Sequence, residues 1–277
     1  MSGAVGLHGG GEYLAGDEPF LDALLLAAAR AAAERSVGSR PAAPAADDDD
    51  VEGHLLATTR DGPFGSAGPT IRVVVLPTAA SRGMPDRAAA TGVGAFERRA
   101  AALHLPTRIE VARVVDAASA TDRDLVDRIA AADLVHLPGG DPDLIPTILA
   151  ATPAGEAMHR AWARGAVLAG ASAGAMALAD WTWTPRGGMR GLGFVHGLAV
   201  VPHYDEIRRT QWQASIDRLA PGGIGYLGLD ERTGVLAERD GDDRSWIVAG
   251  PGAAWWFARG SDSPLVAHDG ERLRLPA

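Results

Sequence analysis

The sequence predicts an α/β fold: a mostly parallel, doubly wound sheet with helices on both faces and an antiparallel extension at its C-terminal end. Three observations predict it. Short, almost wholly apolar runs, such as Ile71, Val73, Val74, Val75 and Leu76, have the pattern of strands buried on both faces. These runs alternate with helical patterns through about residue 180, which is the signature of parallel crossover units. After that point the apolar runs become short and are separated by turns, as antiparallel strands are.

The elements follow in order. Ala4 to Leu7 reads as a first strand running into the loop Gly9-Gly10-Gly11-Glu12. Asp17-Glu18-Pro19 starts a helix over residues 19–35. Residues 36–69 hold Pro41, Pro44 and four consecutive aspartates, Asp47 to Asp50. Adjacent like charges repel, so this stretch is expected to be a flexible acidic insertion in one α/β domain spanning 1–277. Strands are expected at 71–76, 108–115, 134–137 and 166–170. Helices are expected at 88–103, 122–132, 142–149, 154–164 and 173–179. A basic helix is expected near 208–219. Short strands follow at 224–229, 234–238, 245–249 and 255–259. Residues 265–268 and 273–275 read as a final hairpin about Asp269-Gly270.

Composition narrows the function. The 277 residues carry a net charge of −9, which argues against a nucleic-acid partner. There is no cysteine, so disulfides, thiolate metal sites and cysteine nucleophiles are excluded, and a cytoplasmic location fits. No uncharged apolar stretch is long enough to span a membrane. No metal or organic cofactor is implied.

Two motifs lie at expected strand ends, where open α/β sheets bind their ligands. In Gly170-Ala171-Ser172-Ala173-Gly174, a strand turns sharply into a helix at a serine. A hydroxyl is a weak nucleophile and must project toward a base, and glycines permit the cramped turn that does this. The helix start behind it offers amides to a developing oxyanion. In Pro138-Gly139-Gly140-Asp141, consecutive glycines let backbone amides come close to a ligand, so Gly139 and Gly140 are candidate oxyanion donors alongside Ala173. A base is then needed. His203 follows an apolar strand end, Val200-Val201-Pro202, and is preferred, with His196 second. The orienting carboxylate is open among Asp180, Asp205, Glu206, Asp230 and Glu231. Asp141 and the arginines Arg186, Arg190, Arg208 and Arg209 are candidates for binding substrate, arginine by a bidentate contact to a carboxylate.

Taken in order, four motifs resemble the serine peptidase family of aspartyl dipeptidase (dipeptidase E) and cyanophycinase: the Gly9 to Glu12 loop, the Pro138 to Asp141 loop, the Gly170 to Ala175 turn, and Pro202-His203-Tyr204. Downstream, Leu227-Gly228-Leu229-Asp230-Glu231 and the turn at Gly250-Pro251-Gly252 are also similar. The resemblance implies a flavodoxin-like three-layer α/β/α sandwich, as in class I glutamine amidotransferases. It implies Ser172 as nucleophile, His203 as base, Glu231 as orienting acid, and amides of Gly140 and Ala173 as the oxyanion hole. The expected activity is exopeptidase or amide hydrolysis of small peptides, including Asp-containing or β-aspartyl ones; a homodimer is left open. Two departures stand out. The interval from Ser172 to His203 is short, and residues 181–193 hold no carboxylate where the cyanophycinase branch has a glutamate. They motivate an alternative, a peptide-binding or regulatory protein that keeps the fold without turnover.

Overall fold

The computed structural model describes residues 2–38, 68–184, 187–205, 224–237, 244–258, 261 and 263–275. The first strand, β1 (Val5–His8), is followed by α1 (Glu18–Gly38), an Ala-rich helix with Glu18 in its first turn and Arg35 in its last. Then come β2 (Ile71–Val75), α2 (Pro85–Ala102), β3 (Thr107–Val111), α3 (Arg123–Ala130), β4 (Leu134–Leu137), α4 (Leu144–Leu149), α5 (Pro153–Ala163), β5 (Val167–Ala171) and α6 (Ala173–Leu178). Local chemistry sets the helix starts. Asp122 accepts from the amides of Asp124 and Leu125 at the head of α3, and Pro153 opens α5 behind Thr152.

The remaining strands are β6 (Ala179–Thr184), β7 (Gly187–Arg190), β8 (Val195–Val201), β9 (Gly225–Leu229), β10 (Gly234–Ala237), β11 (Arg244–Ala249), β12 (Ala253–Phe257), β13 (Leu265–His268) and β14 (Arg272–Leu275). They are shared between two sheets. The first has the order β14-β11-β10-β1-β5-β4-β2-β3. Its five strands from β1 to β3 are parallel to their neighbours, and β10, β11 and β14 add an antiparallel edge. The second has the order β13-β12-β9-β8-β6-β7 and mixes both directions.

The sequence reading anticipated the parallel core and the antiparallel edge, but not the second sheet. It also expected β13 and β14 to form a hairpin, and they do not. β13 pairs with β12 in the second sheet, and β14 pairs with β11 in the first. The Asp269-Gly270 turn does form, with Gly270 at φ 76°, but the Gly270 amide donates to Val248 on β11, so the turn carries the chain from one sheet to the other. α1 continues to Gly38 at the start of the expected insertion. Residues 39–67, and the basic helix expected near 208–219, lie outside the described residues.

Alternation along each central strand explains the layers. On β2, Val73 and Val75 face α1 and α2, while Val74 faces α3–α6. Phe20 and Leu24 of α1 press on β1 and β10 at Gly6 and Gly234, where an added Cβ would fall 2.6 Å or less from their side chains. Each such buried side chain contributes about 1.5–3 kcal/mol. α6 touches β1 and β5 on one side and β6 and β8 on the other, so it lies between the two sheets.

One polar group interrupts this core. His136 of β4 is buried against Phe96, and its Nδ1 stands 2.9 Å from the Tyr13 hydroxyl. Burial holds the Tyr13 phenol well above its ordinary range, reinforced by the charges of Glu12 and Asp17, so it stays protonated and donates. Burial, with His8 nearby, pushes His136 down from 6.5 to about 3, so the folded protein keeps this ring neutral. Between those two values the unfolded chain binds the extra proton. The stability from His136 is therefore full above about pH 6.5 and is lost as pH falls toward 3. Urea unfolding from pH 7.5 to 4 should show this as a loss of up to about 1.4 kcal/mol per pH unit. A His136→Gln variant, less stable at neutral pH, should have the shallower slope; an equal slope would contradict the account.

Candidate active site

The carboxyl ends of four adjacent parallel strands, β1, β5, β4 and β2, converge on one crevice. β5 leads into Ser172, which has φ 49° and ψ −113°, a conformation that costs a non-glycine residue about 1–3 kcal/mol. Its amide donates to the His8 carbonyl at 2.9 Å, and its carbonyl accepts the Met176 amide at 3.0 Å. The flanking glycines are required by contact. A Cβ on Gly170 would lie 2.3 Å from the Gly174 carbonyl carbon, and one on Gly174 would lie 2.0 Å from the Leu137 oxygen. Strand end, helix start and β4 thus meet backbone to backbone.

His203 follows β8 and also has positive φ, 54°. Its amide donates to the Gly9 carbonyl at 2.7 Å. The next residue, Tyr204, anchors it. Tyr204 is buried with Val201, Tyr226 and Phe257, and its ring fills the space over Gly228. The imidazole lies flat against Gly10, where a Cβ would fall 2.3 Å from Cε1. In this position His203 Nε2 is 3.1 Å from Ser172 Oγ, and Nδ1 is 2.8 Å from Glu231 Oε1. A carboxylate only accepts, so Nδ1 donates to it and Nε2 is left to accept from the serine hydroxyl. The His203 and Glu231 side chains are 24% and 41% exposed, so a ligand can reach them from solvent.

Glu231 stands in the turn after β9. That turn is docked on the glycine loop: Gly9 N–H donates to Thr233, Arg232 N–H donates to Gly10, and a Cβ on Gly9 would strike the Asp230 oxygen at 2.2 Å. Asp230 faces the other way, accepting from the Ala253 amide and the Trp255 indole.

The structure thus brings Ser172, His203 and Glu231 together, with Gly139, Gly140 and Ala173 beside them. Among the described residues, no protein acceptor meets the amides of Gly140 or Ala173. The Gly139 amide instead donates to Glu12 Oε1 at 2.8 Å. Asp141 points to Arg82, 2.9 Å away, and its amide ties the loop to Ala79. Arg190 lies on β7 and influences Asp180; it does not touch Ser172, His203 or Glu231. Asp180 instead meets His196, the second histidine candidate, at 3.0 Å. Arg186, Glu206, Arg208 and Arg209 lie outside the described residues. The sequence reading did not single out Glu12, although its place just beyond the carboxyl end of β1 was a usable signal.

A parallel α/β sheet that presents a serine on a strained strand-to-helix turn, within reach of a histidine backed by a carboxylate, is the framework of a serine hydrolase. Residues 65–242 match peptidase family S51, the family of dipeptidase E and cyanophycinase, and the chain belongs to it. It is a serine-type peptidase. Among solved structures, a peptidase from an acI-B1 actinobacterium is similar, with TM-score 0.72 and 24% identity over 99% of this chain and 98% of that one. A putative peptidase E from Listeria monocytogenes EGD-e is more distant, with TM-score 0.50 and 12% identity over 91% of this chain and 100% of that one. No curated protein matches. Among the described residues, no helix is long and apolar enough to cross a membrane.

Gly10 gives a test of the positioning. Gly10→Ala puts a methyl into the imidazole and a side chain at φ 107°. Ring displacement of this kind should lower kcat about 10²-fold while changing KM little. Unchanged turnover in the folded variant would show that the ring is not held from this side.

Proposed function

We propose that the protein is an exopeptidase or related amide hydrolase in which Ser172, His203 and Glu231 act as a catalytic triad. The observation that carries the proposal is the unbroken chain of contacts from Ser172 Oγ through both ring nitrogens of His203 to Glu231, at 3.1 and 2.8 Å. Ser172 Oγ attacks the scissile carbonyl carbon as its proton passes to His203 Nε2. Glu231 stabilises the resulting imidazolium. The carbon–nitrogen bond then breaks, and His203 returns the proton to the departing amine. Water, deprotonated by the same ring, releases the acyl group from Ser172. The Gly140 and Ala173 amides are the oxyanion donors in this reading, since Gly139 is already engaged by Glu12. Family membership extends the proposal to small peptides, Asp-containing and β-aspartyl ones included. The reading without turnover rested largely on the short interval before His203, and the 3.1 Å contact removes that support.

A fluorophosphonate probe should label the wild-type protein at Ser172 and leave Ser172→Ala unlabelled. Absence of label on folded wild-type protein would reject a catalytic serine. Glu231→Gln keeps the shape but loses the charge that supports the imidazolium. Its labelling rate should fall by about 10²–10⁴-fold; a fall of less than tenfold would reduce the triad to a Ser–His pair.

A further inference from the structure

A carboxylate beside an acyl-transfer site needs a reason. Glu12 reaches across from the β1 loop to accept the Gly139 amide at 2.8 Å. At that point the loop is against the nucleophile: a Cβ built on Gly139 would fall 2.9 Å from Glu12 Oε1 and 3.1 Å from Ser172 Cβ. Only one oxygen of Glu12 is used this way. Among the described residues, no donor meets the other. Glu12 is half-buried and, with Gly139 and Pro138, lines one end of an open cavity of about 330 Å³. Arg87 and Met84 of α2, both exposed, lie along its α2 side.

Left to itself, this arrangement opposes the reaction. The tetrahedral intermediate puts negative charge on an oxygen directed at the Gly140 and Ala173 amides, next to the loop that Glu12 grips. A like charge there raises the barrier, and partial burial limits its screening. A cation on the substrate, close to the scissile carbonyl, reverses the effect. The nearest cation a peptide can bring is the α-ammonium of the residue whose carbonyl is attacked, two bonds away from it.

We propose that Glu12 is the subsite for the substrate's free α-ammonium, so that the enzyme cleaves after an unblocked N-terminal residue. The inference rests on the hydrolase reading of Ser172. Glu12 Oε1 keeps the Gly139 amide in place while Oε2 takes a charge-assisted hydrogen bond from the ammonium. The residue following the ammonium then directs its side chain into the cavity.

The test uses protection of Ser172 from fluorophosphonate, which needs no knowledge of the preferred substrate. The competitors are a mixed pool of dipeptides with free amino termini and the same pool N-acetylated. In the wild-type protein the free pool should protect at a concentration at least tenfold lower than the acetylated one. Glu12→Gln can still accept the Gly139 amide and loses only the charge. In that variant the ratio of the two concentrations should fall to near one, as expected for a lost charge-assisted bond. Because the readout is a ratio within each protein, a general change in labelling rate does not affect it. Equal protection by both pools in the wild type, or an undiminished ratio in Glu12→Gln, would overturn the proposal. A wild-type protein that takes no label at all would remove the hydrolase reading and this inference with it, an outcome distinct from normal labelling with no preference for the free pool.

Discussion

The site depends on the five-residue segment from His8 to Glu12, which leaves β1 and touches every other part. The His8 carbonyl fixes the Ser172 amide, the Gly9 carbonyl fixes the His203 amide, the Gly10 carbonyl fixes the Arg232 amide beside Glu231, and Glu12 fixes the Gly139 amide. Each bond is worth only about 1 kcal/mol to stability. Their value lies in geometry, because the four partners come from β5, β8, β9 and β4 and share no other common neighbour. The segment is itself held from beneath. Gly10 donates to His8 Nδ1, His8 Nε2 stands 2.7 Å from the buried Asp17 carboxylate, and Asp17 accepts the Tyr13 amide. Buried polar groups placed this way are costly unless paired, so the pairing selects one conformation of the loop.

This explains how two strained residues persist side by side. Ser172 and His203 both sit at positive φ. Neither is glycine, and each conformation costs about 1–3 kcal/mol. A free loop would relax. Here the serine backbone is bonded on both sides and clamped between glycines that admit no Cβ, and His203 is pinned between the Gly9 carbonyl and the buried Tyr204. The side chains therefore meet before any substrate arrives, which is the preorganisation that acyl transfer exploits.

Much of this was legible in the sequence, for physical reasons. Strands buried on both faces must be apolar throughout, so β2, β4 and β5 stand out, and a serine between small residues at the end of such a strand has few other uses. The second sheet was hidden because its strands are short and its order is not sequential: β6 and β9 both pair with β8, and β12 returns to β9. The β13–β14 pair misled because a turn sequence fixes a reversal of the chain but not which sheet receives each arm. Glu231 could be told from Asp180, Asp205, Glu206 and Asp230 only by resemblance, since its placement depends on a loop more than 200 residues upstream. Glu12 went unnoticed for the same reason, its partner Gly139 being 127 positions away.

The common support also makes the site's parts energetically inseparable. Glu231 and Glu12 face the serine from different directions, one through the imidazole and the other through the Gly139 amide. They are not independent charges, because the turn carrying Glu231 hangs from Gly10 and Glu12 follows it two residues later. A shift of the loop that lengthened the His203 contact would also turn the Gly139–Gly140 peptide. Base and oxyanion loop would then be lost together, and changes at Gly10, Glu12 and Glu231 would not add, as is general for residues that share a backbone support. The arrangement concentrates risk in one glycine loop. It also lets a single well-packed segment set the position of every group the chemistry needs.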